Sequence, residues 1–281
     1  MTWMAVINAE VFTPTARLAQ GLILMAGERI LAVGRSHEIP LPPGTRLLDA
    51  EGAQIVPALL DLAWHEATPP PPATGIARFA RTVLIQSEAD LAVLAQTAAA
   101  LSAPPTTAQP LGLHLLLRNA FPAWEAIRAA AGEAIALVTL PAGHPHTPAL
   151  ARRLWQERRR FILAGPAPTD PFLRELILCG LAATTDPEAP CSARSWLVTP
   201  APGPAGTAQP LLMSHRGQTL TAAVLGAPTP DPTLLLATTR HPAGFLRLPS
   251  GQLAPGARAD LLCRNRAGEV LWLLVGGRFL S

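Results

Sequence analysis

The first sixty residues alternate apolar and polar positions over short runs. MAVINAEVF is followed by GLILMAG and RILAVG around a turn at Gly27 and Glu28, then by RLLDA and AQIVPAL around a second turn at Glu51 and Gly52. A period of two broken by turn residues predicts an all-β segment. From about Asp61 the rhythm changes to short apolar runs, each followed by a helical pattern with recognisable ends. After ARTVLIQ, Ser87 and Asp90 form a weak capping box ahead of LAVLAQTAAAL, and LGLHLLL is followed by PAWEAIRAAA with Gly132 as its stop. AIALVTL precedes a helix around Pro148 to Arg160. FILAG precedes Asp170 and Pro171, an N-cap with proline at the first helical position, and FLRELILC then runs to Gly180.

This alternation predicts a parallel sheet or barrel. After LAAT and SWLVT, a proline-rich stretch from Pro200 to Pro210 interrupts it. The last thirty residues return to β with ADLLCRN, a turn at Ala267 and Gly268, and EVLWLLVGGRFL. Two β ends around an α/β middle can pair into one small sheet domain.

A chain of 281 residues, 49% hydrophobic and 15% charged, is long and apolar enough to bury a substantial core. All 22 basic residues are arginine, so Schiff-base lysine chemistry and a carbamylated-lysine metal bridge are excluded. The net charge of +3 is small. The densest basic run, RRLWQERRR from Arg152 to Arg160, reads as a solvated helix face with Leu154 and Trp155 turned inward rather than as a nucleic-acid surface. Cys179, Cys191 and Cys263 lack metal-ligand spacing and read as reduced thiols. The N-terminus has no basic n-region and no continuous apolar h-region, so the expectation is a soluble cytoplasmic protein with no membrane partner.

The segments NAEVFTP, GERILAVG, LDAEGAQIVPALLD, SGQLAPGARADLL and GEVLWLLVGGR resemble the amidohydrolases. LGLHLLL, ALVTLPA, RRFILAG, CGLAATTD and SWLVTPA resemble successive barrel strands of the N-acetylglucosamine-6-phosphate deacetylases within that superfamily. The resemblance implies an α/β protein in which residues 1–57 and 245–281 form a small β-sandwich and residues 58–244 a (β/α) barrel. Only PEAPCSAR stands between CGLAATTD and SWLVT, where the family has room for a further strand and helix. The middle region spans roughly 180 residues against the 200 or more of complete barrels. A reduced or incomplete TIM-like barrel with one βα unit missing is therefore expected.

The family's chemistry implies a divalent metal held by a glutamate and two histidines, with an aspartate as general base. D-x-H-x-H reads here Asp61-Leu62-Ala63-Trp64-His65, and H-L-E-G-P reads His114-Leu115-Leu116-Leu117-Arg118, with Leu116 at the metal-binding glutamate. A-G-H becomes Ala164-Gly165-Pro166, and T-H-L-Y-N-A becomes Thr185-Asp186-Pro187-Glu188-Ala189-Pro190. The base motif V-T-D-A becomes Val198-Thr199-Pro200-Ala201. Ala63, Leu116, Pro166 and Pro200 offer no ligand or base, and Asp186 alone makes no zinc site.

The implied reading is a pseudoenzyme with a binding or scaffold role, derived from amino sugar metabolism, with no catalytic residue and no cofactor. An alternative is an active amidohydrolase acting on an N-acetyl amino sugar phosphate or another amide, with Zn2+ in a site rebuilt from His65, His144, His146 and Asp186. His65 is either a surviving ligand or a remnant, with the remnant favoured. His114 lies inside an apolar strand and reads as a buried histidine hydrogen-bonded to backbone, and His144 and His146 read as residues of an exposed loop. His241 reads as a capping or packing residue. No partner is identified by sequence; a homodimer is one candidate, and nucleic acid is not expected.

Overall fold

Eight strands drawn from both ends of the chain form one sheet. The computed structural model describes residues 2–13, 15–101, 108–118, 122–189, 192, 194–199, 208–213 and 224–280. The N-terminal segment supplies β1 (Trp3–Phe12), β2 (Arg17–Ala26), β3 (Arg29–Arg35), β4 (Arg46–Asp49) and β5 (Gln54–Pro57). The expected turns lie at Gly27 and at Glu51 and Gly52, all with positive φ. The ten-residue β1 pairs in parallel with β4 from Met4 to Ile7 and with β5 from Glu10 to Val11. The C-terminal β14 (Leu261–Arg264), β15 (Val270–Val275) and β16 (Arg278–Phe279) join antiparallel through β5. Ile23 of β2, Ile30 of β3, Leu261 of β14 and Leu274 of β15 share one buried cluster with Val6 and Ile55. The sheet thus curls over its own core, and the sandwich is a single folded sheet.

The middle of the chain forms a second eight-stranded sheet: β6 (Leu59–Trp64), β7 (Ile76–Ile85), β8 (Gln109–Leu117), β9 (Ile135–Pro141), β10 (Phe161–Ala164), β11 (Ala182–Thr184), β12 (Trp196–Thr199) and β13 (Gln209–Leu212). They lie in chain order and every neighbouring pair is parallel, which makes a nearly closed barrel. Helices α1 (Asp90–Leu101), α2 (Trp124–Ala131), α3 (Thr147–Gln156) and α4 (Pro171–Leu178) follow β7, β8, β9 and β10. Their apolar faces meet Leu113, Leu115 and Leu117 of β8 and the outward residues of β7, β9 and β10 in the largest core cluster.

The cap at Asp170 forms as expected, while of the Ser87 and Asp90 capping box only the aspartate half forms. The Asp170 carboxylate accepts the Leu173 N–H at 3.1 Å, and Asp90 reaches back to the N–H groups of Gln86 and Ser87.

The expected loss of a strand is corrected: all eight barrel strands are present. QPLL, overlooked within the proline-rich stretch, is β13; Pro210 is tolerated there because β13 is an edge strand of this sheet. The shortening falls on the helical layer instead. Only a 3-10 turn at Pro72–Thr74 links β6 to β7, and no helix among the described residues links β11 to β12.

Beyond β13, α5 (Pro232–Thr238) is capped by Asp231, whose carboxylate accepts the N–H groups of Thr233 and Leu234. It is followed by α6 (Arg240–Leu246). Residue 245, the expected start of the terminal β segment, lies inside α6. Both helices pack against β13 and against β6, the two strands that do not pair with each other. Phe245 is fully buried with Leu62, Leu137, Ile162, Ala183 and Leu211, one inward residue from each of five strands. It also contacts the Trp196 ring at 5.7 Å and lies under the Arg160 guanidinium. Since Arg160 and Trp196 stand at the N-terminal ends of β10 and β12, α6 stoppers that end of the barrel.

The two sheets meet through an apolar cluster, in which Val56, Leu262, Leu273 and Val275 of the terminal sheet pack with Leu59, Ile76 and Phe79 of the barrel, and through one arginine. Arg258 donates to Glu28 (3.0 Å) and Asp260 (3.1 Å) within the terminal domain and to Gln109 (2.7 Å) at the start of β8. Burial raises the Asp260 carboxyl above the usual aspartate range. No helix among the described residues is long and apolar enough to cross a membrane.

Phe245→Ala should cost about 3–5 kcal/mol, because five strands lose their shared contact at once. Urea denaturation monitored by circular dichroism measures it, and a loss under about 1 kcal/mol would mean that the stopper collapses without consequence.

Candidate functional site

Parallel barrels build their sites at the C-terminal ends of the strands. Leu113, Leu115 and Leu117 point to the helical layer, so the alternating His114 and Leu116 of β8 face the barrel interior. On β6, Trp64 packs outward against Phe79 and donates its indole N–H to the Thr68 carbonyl at 2.7 Å. The pairing of β6 with β7 shifts register between Asp61 and Trp64, so strict alternation does not run through this end of the strand; His65, just past it, is near enough for its charge to depress the pKa of His114.

His114 is buried, and both ring nitrogens are engaged. Nδ1 lies 3.3 Å from the Thr82 hydroxyl on β7 and Nε2 lies 2.7 Å from the Thr139 hydroxyl on β9. A neutral imidazole has one donor and one acceptor, so this pair of hydroxyls satisfies it completely and leaves no lone pair for a metal. Desolvation, with a smaller contribution from His65, lowers its pKa to about 3. The histidine is a neutral three-strand crosslink, bonded to side chains rather than to the backbone.

Asp186 is also committed. Its carboxylate accepts the Ala167 N–H from the loop after β10 and the Glu188 N–H at 2.9 Å, while its own N–H goes to Thr184 at 3.1 Å. It braces two loops against each other. Pro166 stands exposed in the first of those loops, and Leu116 is half-buried.

His144 and His146 occupy the turn between β9 and α3, with ring centroids 5.4 Å apart, and the His146 N–H donates to His144 Nδ1. His146 is exposed, as expected of a loop. Among the described residues no three His, Cys, Asp or Glu side chains are grouped so as to hold a metal ion, so His65, His144, His146 and Asp186 are not brought together. The donor set at the mouth does not fit a zinc site of three or four ligands. Pro200, matched to the family's base, lies outside the described residues, as does Cys191. Pro200 follows the seventh strand, with β13 still to come.

His241 bonds the Pro210 carbonyl through Nδ1 at 2.8 Å and packs on Trp196, a packing residue as expected. The basic run is mostly neutralised locally: Arg152 pairs with Asp170, Arg153 with Glu125 and Glu157, and Arg159 with Glu133 and Glu157. Leu154 is buried as expected. Trp155 is not: it is 47% exposed, because the buried stripe of α3 is Thr147, Leu150, Ala151 and Leu154 and Trp155 lies at its edge. Thr82 and Thr139 escaped sequence reasoning, since only strand register sets them beside His114.

No family model matches the chain, and no curated protein matches it. Solved structures do. An N-acetyl-D-glucosamine-6-phosphate deacetylase variant from Mycobacterium smegmatis, in complex with N-acetyl-D-glucosamine-6-phosphate, superposes over 100% of both chains with a TM-score of 0.75 at 16% identity. The corresponding enzyme of Pasteurella multocida covers 99% of each chain with a TM-score of 0.76 at 13% identity. N-isopropylammelide isopropylaminohydrolase from Burkholderia multivorans covers 99% of this chain and 98% of its own, with a TM-score of 0.67 at 14% identity. At these identities the likeness is one of fold: the chain has the fold of the deacetylases and other amidohydrolases.

The His114 lock has a pH signature. Its folded pKa of about 3 lies below the roughly 6.5 of an unfolded histidine, so the unfolded chain takes up the proton first. Its contribution to stability is full above about pH 6.5 and is lost as the pH falls toward 3. His114→Gln, which can still bond hydroxyls but cannot titrate, should flatten the stability profile across that window by one proton's worth. An imidazole resonance for His114 that titrates near 6.5 in the folded protein would contradict the lock.

Proposed function

We propose that this amidohydrolase-fold protein is a pseudoenzyme that lacks the metal-dependent deacetylase activity and acts by binding, through its barrel mouth or as a scaffold. The observation that carries this reading is the state of His114. The histidine at the start of the segment resembling H-L-E-G-P has both nitrogens bonded to threonine hydroxyls and a pKa of about 3, two residues before Leu116. A neutral histidine with no open nitrogen neither ligates a metal nor shuttles a proton at neutral pH.

Two further features support it. Asp186, the carboxylate matched to a ligand position, has both oxygens occupied by backbone N–H groups. Ala63, Leu116 and Pro166 contribute no donor atom. A site rebuilt around His65, His144 and His146 draws no support from the geometry, since the two loop histidines sit on a turn of their own.

Protein purified without chelator should carry well below stoichiometric zinc by elemental mass spectrometry. It should release no acetate from N-acetylglucosamine-6-phosphate above the enzyme-free rate, with or without added Zn2+. Near-stoichiometric metal together with chelator-sensitive turnover would replace this reading with the active amidohydrolase.

A further inference from the structure

The N-terminal face of the barrel, opposite the mouth, holds a cavity of about 300 Å3 lined by Trp155, Arg158, Arg159, Arg160, Phe161, Leu181 and Arg247. Arg159 is neutralised by Glu133 and Glu157 and also donates to the Ile135 carbonyl. The other three arginines have no carboxylate within ion-pairing distance among the described residues. Arg160 donates to the Gly180 carbonyl at 2.8 Å, and its guanidinium is depressed by burial and by the nearby charge of Arg247. Arg158 and Arg247 are exposed at the rim and Arg160 is half-buried beneath them, so the cavity gathers like charges that water and salt reach.

The backbone supplies an independent observation. Arg158 and Arg247 both have φ of 57°, in the left-handed region. Each closes a helix in the same way. After α3, the N–H of Arg158 bonds Trp155 O and that of Arg159 bonds Leu154 O; after α6, the N–H of Arg247 bonds Gly244 O and that of Leu248 bonds Ala243 O. This is the paired-bond helix terminus whose left-handed residue is ordinarily glycine. Glycine follows the last turns of α2 and α4 in this chain, at Gly132 and Gly180. Among the described residues, arginine takes that place only at the two helix ends that face this cavity, against the conformational preference of an L-residue.

We infer that this cavity binds a small dianion of the phosphate or phosphomonoester class, held by Arg158, Arg160 and Arg247, with the exposed Trp155 ring as an apolar wall for the group that carries it. Guanidinium forks match phosphate oxygens in pairs, and three of them suit a doubly charged ligand. Trp155 is fixed for this by edge contact with Phe172 at 5.9 Å, a ring that Arg152 also covers. The competing role for arginine at these positions is to complement the helix dipole. The two roles predict opposite effects on the empty protein.

The test uses the full chain and the double variant Arg158→Asn, Arg247→Asn, since asparagine accepts the left-handed conformation without charge. Inorganic phosphate and pyrophosphate should bind saturably by titration calorimetry and raise the Tm, where chloride at equal ionic strength does not. The double variant should bind at least about tenfold more weakly, as expected for lost charge-assisted bonds, while its Tm without ligand is unchanged or higher. Equal binding by the variant, no saturable binding by the parent protein, or a lower ligand-free Tm with identical phosphate and chloride responses would overturn the inference. Duplex DNA binding tighter than pyrophosphate and steeply salt-dependent would overturn it too, because it reports an extended basic surface instead.

Discussion

A parallel sheet of eight strands has two edges, and here they come close without hydrogen-bonding to each other. Open edges and an open barrel end both expose backbone and apolar side chains, so something must cover them. The pair α5 and α6 does this by packing on β6 and β13 together, while Phe245 fills the end of the barrel. The short strands β10 to β13 hold three or four residues each, too few to fill an interior from their own side chains. The stopper supplies the missing volume, so a barrel with a thinned helical layer still has a continuous core.

The terminal sheet is tied to the same end of the barrel. Arg258 bridges Glu28 and Asp260 to Gln109, and the Asp260 carboxylate also receives the Gly276 N–H at 2.8 Å. A buried pair of this kind contributes little net stability against its desolvation but fixes orientation, since either partner alone is costly. The N-terminal face of the barrel thus carries α6, the Gln109 contact of Arg258 and the arginine cavity. At the opposite mouth, polar side chains are used up on one another: His114 on two threonines, Asp186 on two loops.

Local chemistry was legible in the sequence. The turns at Gly27 and Gly52, the cap at Asp170 and the stops at Gly132 and Gly180 depend on a few adjacent residues, and each forms where its residues stand. The period-two runs located most strands, including those of both terminal β segments. The eighth strand was missed because QPLL carries a proline and borders a proline-rich stretch, so only its pairing with β12 identifies it. Leu154 and Trp155 stand about 100° apart on the helix, and the docking of α3 buries the stripe of Thr147, Leu150, Ala151 and Leu154 and leaves Trp155 at its edge.

The sequence by itself determined which donor atoms exist: Leu116 has no lone pair, Pro166 offers no donor, and no lysine is available, whatever the fold. Only the tertiary structure decided how the remaining polar atoms are spent. That His114 meets Thr82 and Thr139, residues 32 positions before it and 25 after it, follows from the register of three parallel strands. That Arg247 joins Arg158 and Arg160 follows from where α6 must lie to stopper the barrel. Register and docking are set by summed packing over many residues, and no local run of amino acids encodes them.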